Sequence, residues 1–193
     1  MSPVGQRERS TQDRIVNLFR DTLGYRYLGD WSDRADNRNV EEALLARWLE
    51  RQGYDEQIVS RAIYKLKQAA ALGGSTTLYE ANRDVYELLR YGVKVQPGAG
   101  DHAVPVRLID WESPEANDFA VAEEVTVTGE NTKRPDVVLY VNGIALGVLE
   151  LKRSKVSVEE GIRQNLDNQK KAFIEPFFTT MQLVLAGNDT QGL

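Results

Sequence analysis

Asp136, Glu150 and Lys152 fall within one stretch, RPDVVLYVNGIALGVLELK, residues 134–152. Two apolar runs flank Asn142-Gly143, a strong short-range hairpin signal. Charges at the ends of buried strands are costly unless they are paired, metal-bound or solvated. Two nearby carboxylates repel when ionised, and a divalent cation relieves that repulsion. Magnesium takes a few carboxylate oxygens, keeps several waters and shares its remaining positions with phosphate. Such an ion polarises a phosphoryl oxygen and acidifies a bound water, while a neighbouring ammonium orients that water and offsets charge on the pentacoordinate phosphate. The chemistry open to this set is phosphodiester hydrolysis. The plainer alternative is a structural ion pair in which Lys152 neutralises Asp136 and Glu150, since an acid, one spacer and a lysine is a common spacing.

Either reading depends on how a hairpin would position the three groups. Side chains alternate faces along a strand, so Glu150 and Lys152 point one way and Leu151 the other. In a strict two-residue hairpin Val141 faces Ile144 and Asp136 faces Leu149, which sends Asp136 and Glu150 to opposite faces. One extra residue in the second strand repairs this, and Gly147 is a natural place for a bulge. A departure at the turn or strong twist at the strand ends would serve equally.

Composition narrows the chemistry. Cysteine is absent, which removes disulfides, thiolate zinc sites and cysteine nucleophiles. The single histidine, His102, lies in GAGDHAVP, a solvated-loop context that offers no triad or zinc site. A resident metal would therefore rest on carboxylates, which favours a hard cation such as Mg2+ or Mn2+. The net charge of −5 argues against a dedicated nucleic-acid-binding module but not against a nuclease domain that borrows affinity from partners. Lys133, Arg134, Lys152, Arg153, Lys155, Arg163, Lys170 and Lys171 gather in the C-terminal third. Glu159, Glu160 and Asp167 dilute them, as on a solvated helix face. No apolar run reaches the ~20 residues that span a bilayer, and the N-terminus lacks a signal-peptide core. The expected location is the cytoplasm, away from membranes.

The elements that must hold the set fall into two textures. Helical periodicity runs through residues 11–25, 39–54, 55–72 and 77–92, with Gly24, Gly53 and Gly92 as stops. Short strand-like pieces follow at 93–95, 105–110, 118–127, 135–141 and 144–151. A helix over 157–173 opens with Ser157 and Glu160 at capping-box spacing, Gly161 weakens it, and MQLVLAG closes as a strand. These elements predict an α/β fold: a helical part over about 10–92, then a sheet-bearing core over about 93–187, within one domain spanning 1–193. The polar ending NDTQGL after that strand suggests a piece of a longer polypeptide.

The segments NDFAVAEEVTVTG, RPDVVLYVNGIALGVLELK and QLVLAGNDTQGL resemble the N-terminal nuclease region of the R (HsdR) subunit of type I restriction–modification enzymes. NVEEALLARWLERQGYDEQIV and LYEANRDVYELLRYGVKV fit the helical prelude of that family. The resemblance implies a restriction-endonuclease-like PD-(D/E)xK fold, with a mixed central sheet flanked by helices. It implies Mg2+-dependent cleavage of double-stranded DNA after translocation. Asp136 and Glu150 would bind metal, Lys152 would position water, and Gln164 would match the family's glutamine on the following helix. Asn168 stands where the family carries a tyrosine. Gln12, with Glu8 one turn earlier, occupies the place where related nucleases often carry an acid, and Glu124 stands where a glutamine is expected; none of these three receives a role. No phosphate-cradling glycine-lysine loop is present, so ATP would bind only to motor domains elsewhere, and M and S subunits would be partners. The rival to a catalytic domain is a nuclease-fold docking or DNA-guiding module without activity of its own.

Overall fold

The computed structural model describes residues 3–153 and 155–188, with side chains from Arg9 onward. The chain opens with α1 (Pro3–Asn17), which loosens into a π-helical turn over Leu18–Thr22 and stops before Gly24. A strand that periodicity does not reveal follows, β1 (Arg26–Asp30). It joins the sheet rather than the helical part. Next come α2 (Glu42–Arg51), α3 (Glu56–Ala69) and α4 (Leu78–Tyr91). Asp55 caps α3, and Thr77 with Glu80 forms a full capping box on α4. The strands β2 (Val93–Val95) and β3 (Val104–Val106) pair as a separate two-stranded ribbon.

The remaining elements are β4 (Phe119–Glu123), β5 (Val137–Val141), β6 (Ile144–Leu151), α5 (Val158–Asn168) and β7 (Leu183–Gly187). They form a mixed five-stranded sheet in the order β1-β4-β5-β6-β7, parallel at both edges and antiparallel in the middle. The expected capping box on α5 does not form. Ser157 Oγ accepts from the Glu159 amide, and the Glu160 amide goes to the Ser157 carbonyl. The predicted helix also ends early, at Asn168, where the chain turns toward a 3-10 segment at Glu175–Thr180.

Apolar residues of α1 and the sheet fill one face: Ile15, Val16, Val121, Val137, Leu149 and Leu151. The other face packs Ala122, Val138, Ala145 and Val148 against Ile174, Phe177 and Phe178. A third cluster lies among α2, α3 and α4, centred on Leu45, Trp48, Leu66 and Val85, and reaches the sheet through Ile144.

The Asn142-Gly143 hairpin joins these clusters. Both residues have positive φ, 54° and 86°, the signature of a type I′ turn. Most such turns are solvated. Here Asn142 is fully buried; its amide donates to Leu108 O and Asn117 Oδ1, and its own oxygen accepts from the Asp118 amide. Gly143 lies against α2, where a Cβ would come within 2.7 Å of Leu44 Cβ and 2.8 Å of Leu45 N. Gly143→Ala combines a left-handed backbone with a backbone clash. It should lower stability by about 2–4 kcal/mol, read from the midpoint of urea unfolding.

Candidate active site

The register between β5 and β6 decides where the charged groups go. Val141 pairs with Ile144 and Tyr140 with Ala145, but Leu139 pairs with Gly147. Leu146 is the extra residue, so the second strand carries the bulge beside Gly147. Its effect appears in the cores: Ala145 and Val148 share a face, while Leu149 and Leu151 face α1. Beyond the bulge Val137 pairs with Leu149, which brings Asp136 level with Glu150.

Asp136 is fixed there by its own backbone and side chain. Its Oδ2 accepts from the Leu151 amide at 2.6 Å, and its carbonyl accepts from the Glu124 amide at 2.9 Å and Gln12 Nε2 at 3.4 Å. Glu150 is 1% exposed. Lys152 Nζ donates to Glu150 Oε1 at 2.7 Å and to Gln164 Oε1 at 2.8 Å. The structure thus gathers Asp136, Glu150, Lys152 and Gln164 at one end of the sheet. Gly161 is what lets α5 close over this end: a Cβ there would sit 3.2 Å from Ala186 Cβ and 3.6 Å from Glu150 Cγ. The glycine that weakens the helix in isolation permits its seat.

Glu150 Oε2 is buried and has no hydrogen-bond partner among the described residues. Burial pushes the Glu150 carboxyl up to about 8, and the negative Asp136 adds to the rise, against a downward pull from Lys152. An orphaned, buried carboxylate oxygen beside a second carboxylate is a donor set short of a cation. Among the described residues no group of three or more His, Cys, Asp or Glu could hold a metal. Asp136 and Glu150 alone fit a hard ion that completes its shell with water and phosphate oxygens.

A cleft of about 460 Å³ opens onto the pair, lined also by Arg9, Gln12, Glu124, Arg134, Lys152 and Gln164. Gln12 is buried and donates to Glu123 Oε2 at 2.9 Å as well as reaching the Asp136 carbonyl. It braces the site rather than adding a carboxylate. Glu8 lies outside the described side chains. Sequence reading passes over Glu123, which is buried and bound by Tyr27 Oη (2.5 Å), Gln12 and Arg9 (3.1 Å). Burial first, and the bond to Glu123 second, push the Tyr27 hydroxyl up to about 12. The signal that could reveal Glu123 is a charge on an otherwise apolar strand. Arg9 leaves no local signal of its tie to Glu123, because that partner is more than a hundred residues away. Asn168 is 1% exposed and turned into the protein, so the position of the family's tyrosine does not face the cleft. His102 is exposed in a loop, as expected.

The model for the type I restriction enzyme R protein N terminus matches residues 5–193. The chain belongs to that family. A protein of Methanocaldococcus jannaschii named as the type I restriction enzyme MjaVIIIP endonuclease subunit is 39% identical over 62 residues, 31% of this chain and 6% of that protein. A second protein of that organism, named as the MjaIXP endonuclease subunit, is 40% identical over 76 residues, 36% of this chain and 7% of that protein. The matched stretches thus span a small fraction of these relatives. In this R-protein N-terminal region no described helix is long and apolar enough to cross a membrane.

The buried Glu150 makes a pH prediction. A glutamate in the unfolded chain titrates near 4.5, and here its value is raised to about 8. The folded state therefore holds the proton more tightly. The associated stability is fully present below about 4.5 and is lost as pH rises toward about 8. In chelator, Glu150→Gln should gain about 2–4 kcal/mol over wild type at pH 8.5 and little at pH 4.5, measured by urea unfolding across pH. Saturating Mn2+ should narrow the gap at high pH by stabilising the wild type alone.

Proposed function

We propose that the chain is the metal-dependent endonuclease part of a type I restriction enzyme R subunit, hydrolysing phosphodiester bonds of double-stranded DNA. The observation that carries this reading is the convergence of Asp136, Glu150 and Lys152 on a cleft, with one buried Glu150 oxygen lacking a partner. The order α1, β4-β5-β6, α5, β7 with β5 antiparallel to its neighbours supports assignment to the restriction-endonuclease-like PD-(D/E)xK class.

Asp136 and Glu150 would hold Mg2+, with Mn2+ as a substitute. The bound ion supplies charge neutralisation at the phosphate and an acidified water. Lys152 lies beside Glu150 with its ammonium anchored by Gln164, which holds that charge where it would orient the attacking water. Gln164 acts through Lys152, as a positioning residue. Leu151 N–H holds one Asp136 oxygen at the strand end. As the resemblance implies, ATP-driven motors would lie outside these 193 residues, and cleavage would follow translocation. M and S subunits would bring methylation and sequence recognition. The cytoplasm is the setting this role requires.

The test is plasmid cleavage by the complete multisubunit enzyme with Mg2+ and ATP. Asp136→Ala and Lys152→Ala should each lower cutting by about 1,000-fold, the loss of several kcal/mol of transition-state stabilisation, with ATP hydrolysis retained. Cutting that survives both substitutions would leave a docking or DNA-guiding module as the better reading. Mn2+ binding by calorimetry should vanish with Glu150→Ala.

A further inference from the structure

The rim of the cleft carries a feature the hydrolytic set does not use. Glu124 has φ +52, a left-handed conformation rare for a residue with a side chain. The kink keeps its amide on the Asp136 carbonyl and the next amide on the Pro135 carbonyl. It also places the Glu124 carboxylate between two guanidinium groups, 2.8 Å from Arg134 Nε and 3.9 Å from Arg9. Arg9 is fully engaged, with Asp13 at 3.0 Å and buried Glu123 at 3.1 Å. Arg134 is not. Glu124 is its ion-pair partner, the contact uses Nε, and its side chain remains 57% exposed. Its two terminal nitrogens make no hydrogen bond among the described residues.

A guanidinium whose Nε lies nearest its carboxylate partner can present its two terminal nitrogens outward as a planar fork. That geometry matches two oxygens of a phosphate. Arg134 lines the cleft and stands two residues before Asp136. The lining balances Arg9, Arg134 and Lys152 against Glu124, Asp136 and Glu150, so a divalent ion on the acids leaves the cleft positive. Glu124 is itself held by arginines and is directed away from a metal role.

We propose that Arg134, oriented by Glu124, is a subsite that binds a backbone phosphate of duplex DNA beside the hydrolytic set. The identity of the ligand rests on the endonuclease reading above; the contact itself is tested without cleavage. It carries no base specificity, because a phosphate is the same at every step of the duplex.

The experiment is fluorescence anisotropy of the 193-residue chain with two short duplexes of unrelated sequence, across a salt series, with Ca2+ replacing Mg2+ to prevent cutting. Arg134→Gln should weaken both duplexes equally, by about tenfold, and reduce the slope of log affinity against log salt by about 0.9. Arg134→Lys should keep the slope and lose part of the affinity, since the charge stays and the fork does not. Glu124→Gln should likewise keep the slope while weakening binding. An unchanged slope with Arg134→Gln overturns the proposal, even where Asp136→Ala abolishes cutting in the complete enzyme. So does an absence of duplex binding by the wild-type chain. A reduced slope supports the subsite even if Asp136→Ala still cuts, the outcome that would remove the endonuclease reading instead.

Discussion

The interaction on which the site depends is the burial of Glu150 beside Asp136. A carboxylate 1% exposed has lost its water and must recover that solvation from the protein. Lys152 supplies part of it at one oxygen, and the other oxygen receives none among the described residues. Burial and the negative Asp136 both oppose ionisation of Glu150, so without a cation the group keeps its proton up to about 8. A divalent cation between the acids, as in the proposed role, would relieve that opposition.

Three local departures from regular structure make that pairing possible. The extra residue at Leu146 shifts the parity of β6 so that Glu150 leaves the α1 face. Gly161 lets α5 approach the strand closely enough for Gln164 to reach Lys152. The left-handed Glu124 carries the β4–β5 pairing one residue further and fixes the Asp136 carbonyl. Each weakens an element considered alone. Together they hold four side chains in one place, the pattern expected where local rules yield to a site.

Elements outside the sheet contribute at a distance. Asn142 and Gly143 form the turn of the hairpin, and both are clasped by residues outside the sheet, Leu108, Asn117 and α2. The end of the hairpin far from the acids is therefore clamped, which fixes the register at the end that bears them. α1 adds the second brace through Gln12 and Arg9, which tie Glu123 and the Asp136 carbonyl to the opposite face of the sheet.

The sequence by itself determined the elements whose cause is local. The helices of the first half, the Asn-Gly hairpin, the acids at its open end and the need for a register repair follow from periodicity, turn chemistry and strand alternation. So does the expectation that any resident metal would rest on carboxylates, given no cysteine and one histidine. Tertiary structure decided what depends on distant partners. β1 is a strand because β4 offers it a parallel edge, and RYLGD has no apolar alternation to announce it. The capping box at Ser157 was legible and yet does not form, since α5 is placed by its packing on β6 and β7 rather than by its first turn. Glu123, Arg9 and Arg134 became part of one charged rim only when α1, β4 and the start of β5 met at the same edge. Spacing in sequence carries side-chain direction within an element; the encounter of charges from separate elements is fixed by packing, where burial gives each pairing its strength.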